Sequence, residues 1–269
     1  MRALTGLCAA LFLTACAAPL LDLTLPIDAP QKALVENVPL IEQADYFCGP
    51  ASLAMVLQWI GQDVTQDDIA SLAFTPEARG TFQQDMISAA RRRGALAIPL
   101  SGFAALTTEL AGGHPVIVFQ NLGERFAPIW HYGVVTGYDL DRETVTLHSG
   151  QLSRTDMSLA KFERTWAGGE GWALLVLSPG DLPAAASERS VLEASAGLER
   201  AGQTAAAIEA YRSGAKQWPQ NWLWQFGLGN ALYANGDLTA AREAFERAIA
   251  LDPSAPEPRQ NLAVLDAAR

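Results

Sequence analysis

Histidine and cysteine are scarce in this 269-residue chain, three of each. They are scattered, so no clustered ligand set suggests a metal and no cofactor is expected. An odd count of three cysteines is also too small for a disulfide framework. Bases are in deficit: 19 Lys and Arg face 29 Asp and Glu, a formal charge of −10 that argues against nucleic acid or an anionic membrane face as partner. No Gly-rich loop followed by Lys is found, which removes the phosphate-cradling nucleotide sites. Ordinary Gly and Pro counts exclude a fibrous chain, and 49% hydrophobic residues exclude a disordered one. The length points to about two domains.

Arg2 is the only charge before Asp22, and 3–13 is an uncharged stretch ending in Leu13-Thr14-Ala15-Cys16. Positive, then apolar, then small is the order of an export signal. Leu-Thr-Ala-Cys resembles the bacterial lipobox, which implies that residues 1–15 are removed and that Cys16 becomes a lipidated N-terminus. The alternative is a plain export signal that happens to hold a cysteine. Ala17 follows Cys16 where Asp often marks inner-membrane retention, so the expected place is the cell envelope, lipid-anchored to the outer membrane and facing the periplasm. Cys8 is then discarded and Cys16 consumed, leaving Cys48 alone in an oxidising compartment. A solitary thiol there invites damage unless it is buried or used.

Residues 16–37 have weak periodicity and three prolines and read as a tether. From 38 to 179 helical patterns come first, at 48–60, 65–72, 81–93 and 103–110. Short β-rich runs then dominate, at 95–100, 115–120, 130–138, 144–148 and 172–177. Helices followed by adjacent strands indicate an α+β domain. Two prolines and a glycine break the pattern between 178 and 188, and 180–187 is taken as the linker.

Beyond it, 188–269 is Ala-rich and helical, and a shift of 34 residues places Gly202 on Gly236, Ala207 on Ala241, Tyr211 on Phe245 and Pro219 on Pro253. This pattern is similar to that of the tetratricopeptide repeat, with Gly229 at the family's glycine in the second copy and Ser195 there in the first. Two repeats and a final helix fall short of the roughly three units that bury their own core. They must therefore lean on the first domain, a second copy, or a partner protein. Trp218, Trp222 and Trp224 form the aromatic surface at the junction, read as ordinary inter-helix packing.

Cys48-Gly49-Pro50-Ala51 opens a helix that is apolar almost all round, hence centrally buried. Pro50 suits a first turn, so Cys48 belongs at the helix N-terminus, where unpaired N–H groups favour thiolate and are expected to lower the thiol pKa. A thiolate needs an imidazole partner. His114, before Pro115 at a turn, reads as a solvated loop residue, whereas His131 opens a strand, His131-Tyr132-Gly133-Val134-Val135.

The segments Gln43-Ala44-Asp45-Tyr46-Phe47-Cys48-Gly49-Pro50 and His131-Tyr132-Gly133-Val134-Val135 resemble the two catalytic segments of papain-like cysteine peptidases. They are most similar to the bacterial peptidases that cut double-glycine leaders. That resemblance implies Cys48 as nucleophile, His131 as its acid–base partner and Gln43, five residues upstream, as a donor to the oxyanion. Relatives place an Asp at the end of the next strand to orient the histidine, and this chain has His148-Ser149-Gly150 there. His148 is the first candidate for that position. An acid supplied by Asp139 or Asp141, a weaker dyad and a silent fold are the other outcomes. The expected protein is an envelope lipoprotein that hydrolyses a peptide or protein substrate through Cys48 and His131, with a protein partner possible on the repeats. Acyl transfer to an amine would use the same residues, and a silent peptide-binding scaffold is the rival.

Overall fold

The computed structural model describes residues 29–267. Cys8 and Cys16, and with them the expected signal and lipidation, lie outside those residues. In chain order the first domain runs β1 (Lys32–Leu34), α1 (Cys48–Trp59), α2 (Gln66–Ala73), β2 (Phe74–Thr75), β3 (Gly80–Thr81) and α3 (Gln83–Arg92). It continues with β4 (Leu96–Ser101), α4 (Phe103–Ala111), β5 (Val116–Asn121), β6 (Trp130–Asp139), β7 (Thr144–Ser149), β8 (Leu152–Ser158), α5 (Leu159–Gly168) and β9 (Trp172–Leu177). Five helices follow: α6 (Glu188–Arg200), α7 (Thr204–Gln217), α8 (Trp222–Ala234), α9 (Leu238–Leu251) and α10 (Glu257–Ala267). The architecture is the expected α+β domain followed by an all-α repeat segment.

One antiparallel sheet, ordered β4-β9-β5-β6-β7-β8, forms the spine of the first domain. Its central strands read as continuous apolar runs, Val116-Ile117-Val118 and Leu174-Leu175-Val176, because both faces are covered. Helix α1 packs against β6, with Gly49 through Leu57 buried. Leu53, Val56 and Leu57 are each fully buried, contributing about 1.5–3 kcal/mol apiece.

The tether expected over 16–37 ends earlier than its pattern suggested. β1 lies within it and pairs with the far half of β6, Lys32 opposite Asp139 and Leu34 opposite Gly137. Val35 N–H donates to the Thr136 carbonyl at 2.7 Å, and the Tyr138 hydroxyl donates to the Pro30 carbonyl at 2.9 Å. The cause lies in β6, whose partner β5 covers only Trp130 to Val135 on that edge. Without β1 the remaining backbone groups would lack partners. Gly137 makes room: a Cβ there would sit 2.5 Å from the Ala33 carbonyl oxygen. Strand β8 was not anticipated either, since charged Arg154 and Asp156 hide the pattern on what is an edge strand.

The repeats lean on the first domain. Gln203 Nε2 donates to the Arg92 carbonyl at 2.9 Å, and α6 packs on β4 and α3. Ser213 Oγ donates to the Gly180 carbonyl at 2.9 Å. The linker is clamped by a fully buried carboxylate: Glu109 accepts the N–H groups of Ala184 (3.1 Å) and Ala185 (2.7 Å) and meets His114 Nδ1 at 2.7 Å. His114 is therefore a hydrogen-bonding partner of a buried acid and not a solvated loop residue. Two of the three tryptophans pack between helices, Trp218 stacking on Trp224 at 5.2 Å and Trp224 Nε1 donating to Glu188 at 2.8 Å, whereas Trp222 meets Phe226 within α8. Ser195 at the first copy's glycine position is buried and returns its hydroxyl to the Val191 carbonyl at 2.9 Å.

Candidate active site

Cys48 is the first residue of α1, where the chain turns from an exposed segment into the buried helix. Ala51 N–H closes the first turn onto the Phe47 carbonyl at 2.8 Å, and Pro50 occupies a position where no N–H is needed. Gly49 has no room for a side chain: a Cβ would lie 2.9 Å from Thr81 Cβ. Burial pushes the Cys48 thiol above its ordinary range, outweighing the backbone N–H groups of Tyr132, Gly49 and Cys48 that draw it down. The lowering expected from the helix N-terminus is thus outweighed by desolvation on burial.

The Tyr132 N–H aimed at the sulfur brings Cys48 against the residue beside His131. His131 is buried near the start of β6, and its Nε2 lies 2.8 Å from Ser149 Oγ at the end of β7. With Ser149 on Nε2, Nδ1 is the ring nitrogen left for the thiol. Burial alone lowers the His131 pKa. Burial thus pushes both groups toward their uncharged forms, and no thiol–imidazole hydrogen bond is made among the described residues.

His148 does not orient His131. Its Nδ1 accepts the Arg154 N–H at 3.3 Å and its ring is buried beside the Val38 backbone. Burial, helped by Arg154, also lowers its pKa. Successive strand residues face opposite sides, so when Ser149 meets His131, His148 must turn away. Asp139 is no substitute: it lies eight residues along β6, roughly 26 Å from His131, where its carboxylate accepts the Arg142 N–H at 3.0 Å. Asp141 lies beyond it in the β6–β7 turn.

Gln43 approaches the β7–β8 turn that follows Ser149, its Nε2 3.7 Å from where a Cβ would stand on Gly150. A residue that sequence reasoning missed places it there. Gln66 of α2 takes the Ala44 N–H on Oε1 at 3.1 Å and gives its Nε2 to the Glu42 carbonyl at 3.0 Å. One side-chain amide thus pins the backbone on both sides of Gln43. Gln66 carries no local signal, because its role arises only when α2 packs beside the segment before α1.

A cleft of about 380 Å³ opens next to the Cys48-Gly49 turn, lined by Thr81, Phe82, Phe119, Trp130, Tyr132 and Glu170 among others. Thr81 touches Gly49 and accepts the Tyr132 hydroxyl on its carbonyl at 3.1 Å. A cysteine at the N-terminus of a buried helix, beside a strand histidine whose outer nitrogen is held by a side chain, defines the cysteine-peptidase fold of the papain-like class. Residues 35–171, half of the chain, match the model of the Peptidase_C39 like family, and the chain belongs to that family. Residues 192–256 match the tetratricopeptide repeat model. An uncharacterised protein of Methanothermobacter thermautotrophicus is 32% identical over 136 residues, 51% of this chain and 87% of that one. Among solved structures, a C39-like peptidase from Bacillus anthracis aligns at 20% identity, over 54% of this chain and 97% of its own, with a TM-score of 0.45. The peptidase domain of Streptococcus ComA, a bifunctional ABC transporter of a quorum-sensing pathway, aligns at 25% identity over 52% and 98%, with a TM-score of 0.44.

Proposed function

We propose that this chain is a thiol peptidase of the cell envelope, held to the outer membrane through a lipid on Cys16, that hydrolyses peptide bonds with Cys48 and His131. The observation that supports it most is the meeting of the Cys48 sulfur with the Tyr132 N–H while Ser149 holds the outer nitrogen of His131. In the first step Cys48 Sγ attacks the peptide carbonyl carbon as its proton passes to His131 Nδ1. The oxygen, now negative, is held by the Cys48 backbone N–H and the Gln43 amide. The C–N bond breaks as His131 returns the proton to the leaving amine, leaving a thioester. Water then attacks the thioester, His131 takes its proton, and the acid product departs as the thiol is restored.

Because Ser149 carries no charge, it orients the ring without stabilising an imidazolium as a carboxylate does. Proton transfer is therefore tied to attack on the carbonyl and does not precede it. The test is a peptide library exposed to full-length protein and to Cys48→Ala and His131→Ala, with products read by mass spectrometry. Cleavage by the wild type alone is expected, and identical products from wild type and Cys48→Ala would overturn the proposal. Incorporation of labelled fatty acid, lost in Cys16→Ala, checks the anchor.

A further inference from the structure

The cleft beside Cys48 has walls and a charge that the peptide-bond chemistry does not use. Trp130 and Tyr132, two residues apart on β6, share a face with Phe119 of β5. Phe119 stacks on Trp130 at 5.2 Å and 13° and meets Tyr132 at 4.7 Å, so this wall is already in place. Phe82 forms part of the lining and, like Trp130, is more than half exposed, at 59% and 52%. Among the side chains that line the cleft, Glu170 is the only charged one.

Glu170 sits in the run Gly168-Gly169-Glu170-Gly171. The glycines are needed: a Cβ on Gly169 would lie 2.1 Å from the Phe119 carbonyl oxygen, and Gly171 has φ +64°. Glu170 itself has φ +63°, the left-handed region that favours glycine, yet it carries a long acidic side chain. That carboxylate is exposed and makes no ion pair or side-chain hydrogen bond among the described residues. A strained, unpaired acid beside exposed aromatic rings matches the needs of a cation: the rings accept it on their faces and the carboxylate neutralises it.

We propose that this cleft takes a basic side chain of the peptide substrate, a Lys or Arg whose stem lies on the Trp130 and Phe82 rings and whose charge faces Glu170. This rests on the peptidase reading of the adjacent Cys48, and Glu170 is then a specificity-determining residue. The net charge of −10 works in the same direction by drawing cationic peptides to the protein.

Two readouts separate the cleft from the chemistry. Binding is measured by calorimetry on full-length Cys48→Ala, using Gly-based hexapeptides in which one position is varied as Lys, Arg, Leu, Phe or Glu; cleavage of the same panel is measured on the wild type. Lys and Arg peptides are expected to bind about tenfold more tightly than Leu at one position, the combined effect of ring and carboxylate. In the Cys48→Ala background, Glu170→Gln removes most of that advantage and Glu170→Lys shifts the preference to Glu. Glu170→Gly also removes it while raising Tm, because the backbone strain is relieved, so misfolding cannot explain the loss. Equal binding of Lys and Leu peptides, or a basic preference that survives Glu170→Gln, overturns the cleft assignment even if the wild type cleaves. A basic preference in binding with no cleavage upholds the cleft and overturns the peptidase reading.

Discussion

Aspartate at position 149 would put a carboxylate where a hydroxyl now meets His131 Nε2 at 2.8 Å. In the site as it stands, burial raises Cys48 and lowers His131, so both lean to their uncharged forms. A carboxylate within about 4–6 Å raises an imidazole by about 1–3 pKa units, equivalent to about 1.4–4 kcal/mol in favour of imidazolium. Because the two groups titrate together, the same charge favours the thiolate–imidazolium pair and lets thiolate form at lower pH. The assay is the rate of iodoacetamide alkylation from pH 4 to 10, followed by mass spectrometry of the Cys48 peptide. Wild-type alkylation is expected to rise only above about pH 8.5, as the thiol ionises. Ser149→Asp should gain an acid shoulder starting below pH 7. Ser149→Ala should keep the wild-type profile and lose about fivefold in peptide hydrolysis, the value of one neutral hydrogen bond near 1 kcal/mol. A wild-type plateau between pH 5 and 8 would show that an ion pair already exists and would refute the neutral pair. A Ser149→Asp profile without the shoulder would refute the orienting role of Ser149.

Two further predictions concern stability. Glu109→Ala strips the acceptor from two backbone N–H groups and from His114, at about 1–3 kcal/mol for each buried donor, so Tm should fall and proteolysis within 182–187 should accelerate. An unchanged Tm and cleavage rate would show that the linker is held by something else. Burial lowers both His131 and His148, so below about pH 6.5 the unfolded chain binds protons that the fold does not. Stability is therefore complete above that pH and declines as pH falls toward the depressed values, by up to about 1.4 kcal/mol per pH unit for each histidine. Urea midpoints at pH 7.5 and 5.5 measure this, and equal or rising midpoints at pH 5.5 contradict it.

Much of the architecture was legible because its signals are local. The apolar runs that became β5, β6 and β9, the all-round apolar body of α1 and the 34-residue repeat each follow from side chains within one segment. Cys48 and His131 stood out for the same reason, each at the start of its element. β1 and β8 did not, because a three-residue strand and a charged edge strand have too few apolar positions to show a period. Gln66 and Glu109 act on segments 22 and 75 residues away, which no local pattern reveals.

By itself the sequence determined most of the longer elements, the repeat pattern and which thiol and imidazole are the candidates for the chemistry, since period, composition and motif are written along the chain. Tertiary structure alone decided that Ser149 and not His148 meets His131, because strand register sets which of two neighbours faces the site. It also decided the direction in which burial pushes the two groups, toward their uncharged forms. A helix N-terminus favours thiolate, but the burial that outweighs it exists only once α1 is packed into the domain.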